Sequence, residues 1–271
     1  MPKKPKTPTR ISPIQALLAL AFMVIIAVIQ YLSQGAAPNQ DLPPTITPAV
    51  SIPPTDTPLA PGGPPTLTPV DVDLPPLDSL GEFDYFLRAL SWSPDYCATN
   101  GNDDPQQCSV GRKLGFVLHG LWPQYERGYP SSCTTEKMSA DVKAQFPGLY
   151  PNDDLFDHEW EKHGTCTGLS PTVYLTLSRE LKESVTIPST FISPEKPFRT
   201  TVEKLKQEFA GMNPDYSAAS FAVNCSSNGR YLKELYVCFS KDGQPTSCRS
   251  DVQRSAQKTC QNPDFLVRNI R

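Results

Sequence analysis

Eight cysteines, all between Cys97 and Cys260, constrain this chain of 271 residues more than any other feature. None stands in the Cys-x-x-Cys spacing that thiolate metal sites favour. An even cysteine count behind an export segment reads as four disulfides formed in an oxidising compartment, with a pairing that spacing does not give. The export segment is present. Residues 1–13 carry Lys3, Lys4, Lys6 and Arg10 and no acid, and Ile14 to Leu32 is apolar except for Gln15, Gln30 and Tyr31. A basic flank before an apolar run marks a signal peptide or a membrane anchor. The length of 14–32, close to the ~20 residues that span a bilayer, favours an uncleaved transmembrane anchor with its N terminus in the cytoplasm. The small residues Ser33 to Ala37 keep a cleaved signal open. Under both readings the rest of the chain is extracytoplasmic, either tethered or secreted.

Residues 33–80 are rich in proline and threonine, as in Pro43-Pro44-Thr45 and Pro64-Pro65-Thr66. A segment with so few large apolar side chains buries too little surface to offset chain entropy, and its prolines favour extended conformations. It is expected to be a disordered, semi-rigid stalk. Residues 81–271 are long enough for one domain with its own core. The formal net charge of the whole chain is −3, and no basic stripe stands out. That counts against a high-affinity nucleic-acid binding module, which tracks phosphates with clustered cations.

Within 81–271 strands and helices intersperse. Phe83–Trp92 and Gly115–Gly120 read as strands, the second ending on His119. Ser139–Phe146 and Leu155–His163 read as helices. Ser170-Pro171 opens a further helix that places Val173, Leu177, Leu181 and Val185 on one stripe. Thr200 or Thr201 caps another, stopped by Gly211. Strands follow at Phe221–Val223 and Tyr231–Phe239, and Asp242-Gly243 reads as a hairpin turn flanked by Cys238 and Cys248. The expected fold class is α+β, a single domain with a mainly antiparallel sheet, packed helices and disulfide staples.

The chain has three histidines, in two short segments. His119 stands in Phe116-Val117-Leu118-His119-Gly120-Leu121-Trp122-Pro123-Gln124. His158 and His163 stand in Asp157-His158-Glu159-Trp160-Glu161-Lys162-His163-Gly164-Thr165-Cys166. Histidine exchanges protons near neutral pH, so this confinement points to acid–base chemistry. On a helix Glu159 and His163 share one face, and His158 and Lys162 share the next. A zinc-binding His-Glu-x-x-His would need a second histidine at position 162, where this chain has a cation. No metal and no cofactor is expected.

These two segments, in this order and about forty residues apart, resemble the active-site segments of the ribonuclease T2 family, and the likeness extends from about Phe83 to the last cysteines. The resemblance implies an α+β fold and disulfides Cys97–Cys108, Cys133–Cys166, Cys225–Cys260 and Cys238–Cys248. It implies a metal-independent endoribonuclease that cleaves single-stranded RNA by transphosphorylation to a 2′,3′-cyclic phosphate, then more slowly to a 3′-phosphate. His163 is then the base, His119 the acid, and His158, Glu159 and Lys162 serve the phosphate and the transition state. The two histidines exchange roles between cyclisation and hydrolysis. The carboxylates nearby are expected to hold the histidines charged, and the resemblance implies an acidic optimum.

Trp122, and less directly Tyr129, are candidate platforms for stacking a base. A monomer is expected. The pattern breaks where many relatives have Gln and this chain has Ser91, where many have Trp and it has Phe156, and where some have Asp and it has Gln124. These changes lie at base-recognition positions, so weak base specificity is expected. The alternative is a non-catalytic binding or toxin protein on the same fold, which would tolerate loss of His119, Glu159, Lys162 or His163. Asn224-Cys225-Ser226 is a formal glycosylation sequon.

Overall fold

The computed structural model describes residues 75–100 and 103–271. The flank 1–13, the apolar segment 14–32 and most of the stalk lie outside the described residues. Among the described residues no helix is long and apolar enough to cross a membrane. The globular core begins by Leu80, which is buried, and the Gly81 N–H donates to the Thr167 carbonyl at 2.9 Å.

Six strands and seven α-helices make up the described part. In chain order they are β1 (Tyr85–Trp92), α1 (Ser93–Asn100), α2 (Pro105–Cys108), β2 (Phe116–Gln124), α3 (Ala140–Ala144), α4 (Asp154–Lys162), α5 (Pro171–Glu183), β3 (Phe198–Thr200), α6 (Val202–Met212), β4 (Phe221–Ser226), β5 (Tyr231–Ser240), α7 (Ser250–Thr259) and β6 (Phe265–Val267). The sheet runs β2-β1-β5-β6-β3, with β4 also paired to β5. Its pairings are antiparallel except between β5 and β6, which meet in parallel at Tyr231 and Leu266. The fold is therefore α+β, with a mixed sheet where an antiparallel one dominates.

Strand β1 shows how the sheet divides its two faces. Phe86, Leu90 and Trp92 point into the main core, and Tyr85, Leu87 and Ala89 into a smaller cluster on the other side, as the period of two requires. The main core receives Phe156 and Trp160 from α4, Leu177 and Leu181 from α5, and Leu205 and Phe209 from α6. Only α7, through Val252 and Ala256, joins the second cluster. Arg88 points to the main core fully buried and donates to the Leu181 and Lys182 carbonyls, so a cation closes α5.

Two one-residue bulges interrupt the ladders. Ala89 pairs with Gly120 and Leu90 with Leu118, which leaves His119 as the extra residue of β2. Asn224 pairs with Glu234 and Cys225 with Leu232, which leaves Lys233 as the extra residue of β5. Leu118 and Leu121 can both enter the main core across the first bulge, as can Leu232 and Leu235 across the second. A bulge re-aims side chains that a regular strand would alternate. These two present His119 and Glu234 on the face that α7 covers only in part.

The four disulfides pair as the resemblance implies: Cys97–Cys108, Cys133–Cys166, Cys225–Cys260 and Cys238–Cys248. Several element boundaries differ from those expected. Strand β2 continues through Pro123, because it is the edge strand and an edge tolerates a missing donor. Helix α6 passes through Gly211 to Met212 and ends at Asn213. Gly243, at φ 79°, makes the expected turn, but beyond it only the bridge Phe239–Pro245 pairs back. Asn224 is buried within β4, so the sequon is out of reach of a glycan in the folded domain.

Cys133–Cys166 closes a loop with a sequence separation of 33 and ties the segment after β2 to the turn after α4. Replacing both cysteines by serine is expected to lower Tm by roughly 5–15 °C, from a loop-closure contribution of about 2–4 kcal/mol. Thermal unfolding by circular dichroism checks this, and an unchanged Tm would contradict the assigned staple.

Candidate active site

The site forms where α4 packs against the edge strand β2. Phe156 and Trp160, four apart on α4, anchor the helix in the main core. Their anchorage turns the neighbouring stripe of Glu159 and His163 onto β2. His163 ends the helix at φ −121° and ψ −48°, with its N–H on the Glu159 carbonyl. Gly164 follows because a Cβ there would lie 2.3 Å from the Trp160 ring. The turn is held from outside as well. The Ser132 N–H donates to the Lys162 carbonyl at 2.9 Å, and the Cys133 N–H to Thr165 Oγ1 at 3.2 Å.

Trp122 is the hub. Its Nε1 donates to Glu159 Oε2 at 2.7 Å. Its ring stacks on His163 with centroids 5.1 Å apart, meets His119 edge-on at 5.2 Å and Tyr236 at 5.6 Å. Gly120 leaves the room this requires, since a Cβ there would lie 1.8 Å from Glu159 Oε2 and 2.4 Å from Trp122 Nε1. Trp122 thus holds the two imidazoles apart on one ring, and its stacking face towards His163 is already used. Tyr129 is 53 % exposed, with its ring 6.0 Å from that of His163. His158 is exposed, its Nε2 4.0 Å from Glu159 Oε1.

His119 lies between two carboxylates. Its Nδ1 is 2.7 Å from Glu234 Oε1, and its Nε2 is 3.7 Å from Glu159 Oε1. An ionised carboxylate only accepts, so Nδ1 carries a proton and donates to Glu234. Glu234 was not found from the sequence. The available signal was one carboxylate in a largely apolar strand, Leu232-Lys233-Glu234-Leu235-Tyr236-Val237, and its partner lies 115 residues away. Beside His119 a cleft of about 340 Å³ opens, lined by Ser91, Tyr96, Asn152, Leu155 and Glu234 among others.

The environments of the ionisable groups diverge. Burial pushes Glu159 up to about 7, against the opposing pull of His119, Trp122 and Lys162. Burial, then the positive charges of Lys162, His158 and His119, push His163 down to about 3. Burial and Lys162 also lower His158. Burial works against charge on His119 too, but the hydrogen bond and charge of Glu234, with Glu159, outweigh it and raise the group above the ordinary imidazole value. The expectation that nearby carboxylates hold the histidines charged therefore applies to His119 and is corrected for His158 and His163, where desolvation and cations dominate. His163 Nδ1 and Glu159 Oε1 are buried without a hydrogen bond, and a buried polar atom left unpaired calls for an explanation, a catalytic role among them. Among the described residues no three His, Cys, Asp or Glu side chains group as metal ligands do.

The raised Glu159 group gives a signed pH dependence. Between its ordinary value near 4.5 and about 7 the folded state keeps a proton that the unfolded state releases. Stability from this group is whole below that window and is lost as pH rises through it. Glu159→Gln, which can still accept from Trp122, should raise Tm relative to wild type by several °C at pH 8 and by little at pH 4. A Tm difference independent of pH would contradict a buried carboxylate here.

Comparison with known proteins bears on the family. Residues 83–248 match the model of the Ribonuclease T2 family. The chain is 41 % identical over 198 residues to a ribonuclease of Aeromonas hydrophila, covering 70 % of this chain and 88 % of that one. It is 27 % identical over 186 residues to Ribonuclease 3 of Arabidopsis thaliana, covering 58 % and 78 %. Ribonuclease MC1 from bitter gourd seeds has the same fold, with a TM-score of 0.52 at 21 % identity, over 68 % of this chain and 99 % of that one. An MC1 mutant solved in complex with 5′-UMP superposes with a TM-score of 0.54 at 21 % identity, over 68 % and 98 %. By the span and order of these matches the chain belongs to the Ribonuclease T2 family.

Proposed function

We propose that this domain cleaves single-stranded RNA without a metal, by attack of a 2′-hydroxyl on the adjacent phosphate. Family membership carries the reaction class, an endoribonuclease. The single observation that supports the proton assignments is the contrast between the surroundings of its two central imidazoles. His163 is held neutral well into the acid range, and His119 is held charged by its hydrogen bond to Glu234. A neutral imidazole accepts a proton and a charged one donates it, so mildly acidic solution populates the reactive pair.

In the first step His163 removes the 2′-hydroxyl proton, the 2′-oxygen bonds to phosphorus, and the bond from phosphorus to the 5′-oxygen breaks. His119 passes its Nε2 proton to the leaving 5′-oxygen. Lys162, on the open side of α4, supplies positive charge to the phosphoryl oxygens, and exposed His158 beside it is placed to hydrogen-bond them. Glu159, neutral at mildly acidic pH, has an unpartnered buried oxygen directed between His119 and His158 and can donate to a phosphoryl oxygen. Hydrolysis of the cyclic phosphate reverses the histidine roles. The cleft beside His119 supports a bound nucleoside, with Tyr129 as a second, exposed ring. Ser91, in place of a longer amide, is turned to Glu234 and supports weak base preference.

The intact set of His119, His158, Glu159, Lys162 and His163 around one Trp favours catalysis over a non-catalytic role on the same fold. Four disulfides support a compartment outside the cytoplasm. Tethering through 14–32 belongs to the same proposal, and retention of the full-length protein in carbonate-washed membranes tests it. For the reaction, residues 80–271 are incubated with single-stranded RNA and EDTA at pH 5. Ends bearing 2′,3′-cyclic phosphate are expected, with a bell-shaped pH profile and a loss of roughly 100-fold or more in His163→Ala. Products with 5′-phosphate ends, or activity that EDTA abolishes, would overturn the mechanism.

A further inference from the structure

Glu234 is 4 % exposed at its side chain, in the interior of the sheet, where a carboxylate is costly unless its acceptors are filled. They are filled. Oε1 takes Ser91 Oγ at 3.1 Å and His119 Nδ1 at 2.7 Å, and Oε2 takes Tyr236 Oη at 3.2 Å with Lys233 Nζ at 3.7 Å. Two bulges are needed to bring this about, one beside Glu234 in β5 and one at His119 in β2. The two strands are not neighbours. β1 lies between them, and its residue at the crossing is Ser91, paired to both Glu234 and Val117. The short side chain leaves space for the histidine and the carboxylate to meet over it. Hydrophobic packing asks for none of this, since Leu118, Leu121, Leu232 and Leu235 already fill the opposite face.

We propose that Glu234 is a positioning residue for the cleavage reaction, fixing the Nδ1-protonated tautomer of His119, aiming Nε2 at the cleft and stabilising the imidazolium that donates the proton. The inference rests on His119 as the proton donor of the first step. When Nε2–H gives its proton to the leaving 5′-oxygen, Nδ1–H stays on Glu234. The ring is left as the neutral tautomer whose bare Nε2 then accepts a proton from water during hydrolysis. Glu234 itself exchanges no proton. The other charges around His119 are Glu159 and His158 on α4 and Lys233 on β5, with Lys162 and His163 beyond, so Glu234 is the one carboxylate in direct hydrogen bond among them. Desolvation acts to neutralise Glu234, but bonding to His119 holds it below the usual carboxylate range, consistent with a permanent anion at working pH.

The test is Glu234→Gln in the folded domain. The amide oxygen can keep Ser91 and His119, and the amide nitrogen can face the Tyr236 oxygen, so shape is preserved and charge removed. The alkaline limb of the kcat/KM profile should move to lower pH by about one unit or more. That means a loss of roughly tenfold or more near pH 7 that shrinks towards pH 4, with KM little changed. The ring-proton titration of His119 by NMR should shift the same way, independently of activity. Glu234→Asp, which keeps the charge at shorter reach, should hold the limb nearer wild type. A pH-independent loss, with His119 titrating as in wild type, would reduce Glu234 to a structural residue and overturn the proposal. So would a wild-type profile in Glu234→Gln when His119→Ala is inactive. An active His119→Ala would instead refute the donor role on which the proposal rests.

Discussion

A single extra residue in an edge strand decides which chemistry this domain can hold. If β2 ran without its bulge, Leu118, Gly120 and Trp122 would share a face, and His119 would share the opposite one with Leu121, which is core. With the bulge, His119 and Trp122 project to the same side while Leu118 and Leu121 remain in the main core. Trp122 then receives α4. The hydrogen bond to Glu159, the stack on His163 and the tight fit at Gly120 all depend on where that ring stands. The helix is fixed from behind by Phe156 and Trp160 and at its end by Cys133–Cys166. Strand, helix and disulfide thereby converge on the placement of two imidazoles.

Placement alone does not make an acid and a base. His163 is buried and His119 half-buried, and the loss of water disfavours charge on each. The difference is in the neighbours. His119 has a carboxylate at hydrogen-bond distance and another at 3.7 Å, and His163 has an aromatic face and cations. In the proposed reaction the cations that depress His163 also meet the negative charge of the phosphorane, so one arrangement serves both ends. The burial that supports this carries a stability burden, as the elevated Glu159 group shows. Sites that shift ionisation by several units commonly trade stability for function.

Much of this was legible in the sequence, and for identifiable reasons. Helical period alone puts Glu159 with His163 and His158 with Lys162, and α4 keeps those pairs, the first buried and the second open. Caps at Ser170 and Thr201 marked helix starts that the structure retains, because a side-chain acceptor at those positions satisfies a local backbone donor. The disulfide pairing came from the family likeness and not from spacing. What stayed hidden was non-local. The Glu234–His119 contact depends on two ladder registers, and a register shift leaves no mark in a single strand. The role of Trp122 as scaffold was hidden in the same way, since stacking on a base and stacking on His163 need the same residue. Helix α7 buries only Val252 and Ala256 among polar neighbours, so it has too few apolar side chains to announce itself.

The most direct test of the split between donor and acceptor uses a substrate whose scissile 5′-oxygen is replaced by sulfur, a leaving group that departs without a proton. His119→Ala is expected to be nearly inactive on ordinary RNA and to cleave this substrate at a rate close to wild type. His163→Ala is expected to remain inactive, because the 2′-hydroxyl still needs a base. Rescue of His163→Ala in place of His119→Ala would contradict the assignment of the charged imidazole beside Glu234 as acid and the neutral one beside Trp122 as base.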